Sequence, residues 1–195
     1  MQKINKSIIS RNPVCTPYQV YLLGTFNPDG TPLLLTHASA CFIQGPPDGM
    51  VVGVMVPEQP KTAENIIREQ AFSLNHCNVA MRNLADSAWY ERMPDANEES
   101  TAFCRGSELN VPILDVSPHA LECKVLQSFK VGDTIVFVST IAHVHADDRF
   151  IHPYPASGDY YGWYESQDVK NLDPLLYAFK YYTVSESIGK IGIKF

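Results

Sequence analysis

The chain predicts a mainly β fold with inserted helices, and three observations carry that prediction. Two stretches of alternating, β-branched and aromatic residues each fold back across a Gly-containing turn, Asn27-Pro28-Asp29-Gly30 and Lys130-Val131-Gly132-Asp133, as hairpins do. The two strand-rich halves are separated by residues with helical spacing. Strands do not alternate with helices along the whole chain, so a barrel with inserted helices fits better than a parallel sheet. With 195 residues, 45% apolar and 18% charged, the chain reads as a single globular domain over 1–195, with an aromatic loop and tail from about 151.

The elements follow in order. Tyr18 to Phe26 and Thr31 to Phe42 form the first hairpin. Met50 to Val56 is apolar at every position, which predicts a central strand covered on both faces. Ala63, Ile66 and Ile67 give one apolar face to a short helix starting near Thr62. Asn78 can cap a second helix, in which Met81, Leu84, Ala85 and Ala88 fall at i, i+3, i+4 and i+7. Residues 94–110 are polar and read as a long surface connection. Leu121 to Phe129 and Thr134 to Ala146 form the second hairpin. Between 151 and 172, Tyr154, Tyr160, Tyr161, Trp163 and Tyr164 crowd around prolines and glycines. Their rings need a surface to cover, which a ligand, a second subunit or the chain itself would supply.

Composition excludes several classes of function. A net charge of −6 argues against nucleic acid as a partner, because neutralising phosphates needs a basic face. No run approaches the ~20 apolar residues of a membrane span, and residues 1–10 do not read as a signal peptide. The expected location is cytoplasmic. The five cysteines, at 15, 41, 77, 104 and 123, form no Cys-x-x-Cys pair and read as small buried thiols in a reducing compartment. Motifs for hydrolysis, for nucleoside triphosphates and for dinucleotides in a Gly-x-Gly-x-x-Gly loop are missing.

One stretch points to an anion. Gly45-Pro46-Pro47 leads into the Met50–Val56 strand, and Pro60-Lys61-Thr62 follows it at a helix start. Free backbone N–H groups and the helix dipole favour negative charge there, so Lys61 and the Thr62 hydroxyl complete a pocket suited to phosphate. The plainer alternative makes Thr62 an N-cap and Lys61 a solvated surface charge. His143 and His145 share one strand face with His152 nearby, but no acid or thiol partner is set by spacing, so no metal is expected.

These stretches, taken in order with Leu22-Leu23-Gly24-Thr25-Phe26, Leu33-Leu34-Leu35-Thr36-His37-Ala38-Ser39-Ala40, Ala71-Phe72-Ser73-Leu74-Asn75, Val111-Pro112-Ile113-Leu114 and Leu121-Glu122-Cys123, carry a family likeness. In that order and spacing the chain resembles the flavin reductase-like proteins of the FMN-binding split β-barrel superfamily, which include the flavoredoxins. The resemblance spans about residues 15–148 and resumes more weakly in the tail. It implies FMN as cofactor, with FAD as the alternative, and NADH or NADPH as reductant. It also implies a homodimer, a small-molecule or protein electron acceptor, and no membrane or nucleic-acid partner. By the same resemblance, Thr36, His37, Ala38 and Ser39 line the flavin, while Lys61, Thr62 and Asn65 lie at its phosphate end. His37 would polarise the ring or serve as a structural histidine. Ala38 stands where many relatives carry Asn. A flavin brings its own redox chemistry, so no catalytic residue is assigned. The implied activity is NAD(P)H:flavin oxidoreduction, with a non-enzymatic electron carrier or a reductase of a small organic substrate as alternatives.

Overall fold

The computed structural model describes residues 18–44, 49–58, 61–91, 102–150, 172, 174–177 and 181–183. The strands are β1 (Tyr18–Gln19), β2 (Tyr21–Phe26), β3 (Pro32–His37), β4 (Cys41–Gln44), β5 (Met50–Pro57), β6 (Ala71–His76), β7 (Phe103–Arg105), β8 (Pro112–Leu114), β9 (His119–Val131), β10 (Thr134–Ala146), β11 (Leu176–Tyr177) and β12 (Tyr181–Tyr182). The helices are α1 (Lys61–Glu69) and α2 (Arg82–Ser87), the latter flanked by 3₁₀ turns at Val79–Met81 and Ala88–Tyr90.

Seven strands form one antiparallel sheet in the order β3-β2-β6-β9-β10-β5-β4. Its two edge strands, β3 and β4, are joined by residues 38–40 alone. Four Cα steps reach at most about 15 Å, whereas six strand spacings in a flat sheet would separate the edges by roughly 29 Å. The sheet therefore curls until its edges meet, and the barrel follows from that short connection. The expected strand from Thr31 to Phe42 is thereby corrected. It breaks at 38–40, because the chain leaves one edge of the sheet and enters the other.

Alternation sorts the side chains. Leu23, Leu35, Val52, Val54, Val56, Phe72, Leu74, Leu121, Cys123 and Phe137 face inward, and Ala63 and Ile66 of α1 join the same core. On the outer face of β2 and β3, Leu22 and Leu34 pack against Met81, Leu84, Ala85 and Ala88. These last four are the spacing that the sequence marks as helical. Asn78 caps their first turn, its side chain accepting from the Met81 amide at 3.2 Å. Gly24 permits the closest approach on that sheet: a Cβ there would meet Ser73 Oγ at 2.5 Å and Pro112 Cγ at 2.8 Å.

Three further expectations change. β5 is covered on one face only. Val52, Val54 and Val56 are fully buried, whereas Met55 on the opposite face is half exposed, because among the described residues α2 packs on the outer face of β2 and β3 and not on that of β5. Within the stretch read as a surface connection, residues 103–105 form β7 and pair with β8. Cys77 and Cys123 are buried but Cys41 and Cys104 are exposed, and none of the four is in a disulfide. The second hairpin lies where the pattern puts it, with Val131 opposite Thr134 and Gly132 at φ 60° in the turn. The Pro46-Pro47 pair, Pro60, Cys15, His152 and the aromatic segment 154–164 fall outside the described residues. Among the described residues no helix is long and apolar enough to cross a membrane.

Candidate functional site

The structure brings the sequence-derived candidates together as two groups. At the start of α1, Thr62 is fully buried. Its amide donates to Glu91 Oε1 at 2.7 Å and its hydroxyl to the same oxygen at 2.6 Å. The Lys61 amide donates to Glu91 Oε2 at 3.3 Å, while the Lys61 side chain is exposed and lowers the Asp29 pKa through its charge, behind the larger effect of Asp29's bonds to Thr31. Two backbone N–H groups and a hydroxyl thus converge on one carboxylate at the positive end of a helix. The donor set fits an oxyanion, and a phosphate is one.

Asn65, one turn on, points elsewhere. Its amide nitrogen donates to Thr25 Oγ1 and Asn27 Oδ1 at 3.2 and 3.0 Å, and its oxygen accepts from Arg68 at 2.8 Å. It ties α1 to the end of β2 and the turn that follows.

The second group sits where the sheet edges meet. Successive residues face opposite sides of a strand, so Thr36 and His37 diverge. Thr36 turns outward and donates to the Ala85 carbonyl at 2.5 Å, holding α2 on the barrel. His37 turns inward, is 5% exposed, and lies 3.3 Å from Ser39 Oγ through Nε2. Burial pushes its pKa down to about 4, so its imidazole is neutral at pH 7. Ala38 and Ala40 flank Ser39 in the connection between the edges, where small side chains leave the backbone open to close approach.

A feature that the sequence reading missed surrounds His37. Tyr21 lies opposite both His37 on β3 and His76 on β6. The Tyr21 ring sits 5.8 Å from His76 and 6.1 Å from Phe42, and His76 sits 6.2 Å from His119. Burial, with a smaller contribution from the neighbouring His119, lowers His76 to about 4, and burial alone does the same for His119. A row of rings therefore lines the inner rim at one end of the barrel. The i, i+2 alternation of His37, His76 and His119 with inward leucines was the available signal. Register across four strands was needed to read it.

His143 and His145 lie at the same end, their rings 5.1 Å apart. Among the described residues no three metal-ligating side chains converge. His145 Nε2 instead meets Glu122 Oε1 at 2.6 Å. Glu122 is fully buried and accepts from the amides of Ser107, Glu108 and Leu109 at 2.6, 3.0 and 2.6 Å. Burial pushes its pKa up, but these four bonds outweigh that and hold it below the usual carboxylate value. His145 also borders a cavity of about 390 Å³ lined in part by Asp115, Ser117, Asp147 and Asp148.

Residues 14–184 match the model of the flavin reductase like domain, and the chain belongs to that family. Its structure is similar to that of a flavoredoxin from Methanosarcina acetivorans, at a TM-score of 0.77 and 22% identity over 96% of this chain and 95% of that one. It is similar to the flavoredoxin of Desulfovibrio vulgaris (Miyazaki F), at 0.77 and 21% over 96% and 98%. A third likeness is to an FMN-binding protein from Thermus thermophilus with bound p-hydroxybenzaldehyde, at 0.69 and 15% over 98% and 100%. No curated protein matches the chain in sequence. The fold is the split β-barrel of this family, and the family match makes the protein a flavin-related oxidoreductase.

Proposed function

We propose that this protein binds FMN and acts as an NAD(P)H-dependent flavin reductase. The observation that carries the reading is the oxyanion cradle at the start of α1, occupied by a carboxylate and built from the two residues the family resemblance assigns to phosphate, Lys61 and Thr62. In this reading the Thr62 amide and hydroxyl, the Lys61 amide and the Lys61 ammonium hold the phosphate. Asn65 serves the same end by fixing α1 to the barrel. His37, Ala38 and Ser39 border the ring, with Thr36 anchoring α2 behind them. FMN supplies the two-electron redox chemistry when bound, and the chain's part is to bind, orient and shield it. Burial keeps the imidazoles of His37 and His76 neutral at pH 7. FAD is the alternative cofactor.

The homodimer is part of the same proposal. Ile43, Met55, Leu126, Phe129 and Val131 are each about half exposed or more. Register places Phe129, Val136 and Met55 in one row across β9, β10 and β5. A contiguous apolar sheet face of this kind is what an obligate dimer covers. Light scattering should give twice the 21.8 kDa chain mass, and Phe129→Asp should return a monomer. Exposed, unpaired Cys41 and Cys104 suit a reducing, cytoplasmic setting.

Titration with FMN and riboflavin tests the cofactor. Lys61→Ala should weaken FMN by about ten- to a hundredfold, the ~1.5–3 kcal/mol of a charge-assisted contact, and leave riboflavin nearly unchanged. Equal FMN affinity in the two proteins would remove Lys61 from the site, and a wild-type protein that binds neither FMN nor FAD would end the flavin reading. The likeness to two flavoredoxins supports a second reading, an electron carrier. Reduced nicotinamide decides between them: bleaching of bound flavin by NADH or NADPH supports the reductase, and a flavin that bleaches only with another donor supports the carrier.

A further inference from the structure

We propose that Glu91 is an internal occupant of the α1 anion cradle, which a ligand's phosphate must displace, so that Glu91 sets the discrimination between phosphorylated and unphosphorylated flavins. The inference rests on the reading that this cradle holds phosphate. Glu91 comes from 29 or 30 residues along the chain and takes three donors at the start of α1: the Lys61 amide, the Thr62 amide and the Thr62 hydroxyl. A phosphate reaching the same donors cannot share them with a carboxylate, because each N–H and O–H has one hydrogen to give and the two anions repel.

The backbone at Glu91 adds to the argument. Its φ is 60°, in the left-handed region that a residue with a side chain rarely adopts. Such a conformation persists only where its surroundings over-determine it. The Glu91 side chain is held by its bonds to α1, and the preceding turn Ala88–Tyr90 with α2 is anchored through Thr36 to β3. Release of the carboxylate therefore frees residue 91 to relax while α2 stays in place. A phosphorylated ligand must compete with this carboxylate. Riboflavin, which carries no phosphate, does not meet it.

Glu91→Gln tests the exchange, because it keeps side-chain length and an accepting oxygen while removing the charge. FMN should bind this variant roughly tenfold more tightly than wild type, the scale of one charge-assisted hydrogen bond, and riboflavin should bind both equally. Glu91→Asp, which keeps the charge but withdraws it by one carbon, should move FMN affinity the same way and guards against a folding defect in the first variant. FMN affinity unchanged or weakened in both folded variants overturns the proposal. Inorganic phosphate provides a flavin-free arm, read from the Lys61 and Thr62 amide resonances. A midpoint several-fold lower in Glu91→Gln supports the exchange even if no flavin binds, in which case only the flavin reading falls. Equal phosphate midpoints, or amides that do not respond, overturn the exchange and leave FMN binding to stand or fall on the Lys61 titration.

Discussion

Two carboxylates in this molecule accept backbone amides in nearly the same way, yet their settings differ. Glu122 projects from β9, a thirteen-residue strand paired on both sides, and gathers the amides of residues 107–109 into its buried oxygens, with His145 completing the set. Gly106 makes room for it, since a Cβ there would lie 2.6 Å from Glu122 Oε2. Glu91 hangs from the end of a 3₁₀ turn, in a strained backbone conformation, and receives the amides of a helix start without an imidazole beside it. The first arrangement is a lock between the barrel wall and the connection from β7 to β8. The second is a contact that a competing anion can replace. What separates them is the stiffness of the element that delivers the carboxylate, since the bonds themselves are alike.

Acid is the largest expected perturbation, and it acts on the Glu122 end. Every described histidine lies there: His37, His76, His119, His143 and His145. Burial holds three of them near a pKa of 4 in the folded chain, against 6.5 when free. Below 6.5 the unfolded chain binds protons that the folded chain refuses until about 4, so stability falls as pH drops through that window, by roughly 2–3 kcal/mol for each imidazole. Glu122, with its lowered folded value, loses its contribution further down, below the ordinary carboxylate pKa of 4.5. Urea unfolding from pH 7 to 4 should show the loss, and His76→Gln should reduce it by about one third. A curve that is flat in wild type would contradict the neutral rim.

Removing the lock comes next. Glu122→Ala leaves three loop amides and an imidazole without their acceptor, and the expected cost is about 3–5 kcal/mol in urea unfolding at pH 7. Hydrogen exchange should quicken at Ser107, Glu108 and Leu109 and stay unchanged at Lys61 and Thr62. The smallest effect belongs to the counterpart. Glu91→Ala removes a cap from a nine-residue helix that Ala63 and Ile66 still bury in the core, and about 1 kcal/mol is expected. If the two alanine variants cost the same, the distinction between lock and replaceable contact fails.

Much of the architecture was legible in the residues, and particular ones show why. Asn27-Pro28-Asp29-Gly30 and the Gly132 turn specify hairpins locally, and the spacing of Met81, Leu84, Ala85 and Ala88 specifies a buried helical face even where the backbone tightens to 3₁₀ at both ends. The break at residues 38–40 was not legible, since Ala38-Ser39-Ala40 is compatible with an extended strand and only closure of the sheet requires the chain to change edges there. The outward face of β5 misled for a related reason. An apolar residue such as Met55 reads as covered in the sequence, yet half of it is exposed in the folded chain.

The start of α1 was readable as an anion site because helix dipoles and free amides are local properties of Lys61 and Thr62. The anion found there was not, because Glu91 is an ordinary polar residue at the edge of a polar stretch. Glu122 and the ring row of Tyr21, His37 and His76 were hidden in the same way. By itself the sequence determined the hairpins, the helix faces, the family and the anion-accepting donors at the start of α1, all of which depend on residues near one another in the chain or on an ordered series of such stretches. Tertiary structure decided which carboxylate meets which amide and which imidazoles lose water. Those outcomes are set by strand register and by the curl of the sheet, which bring together groups tens of residues apart.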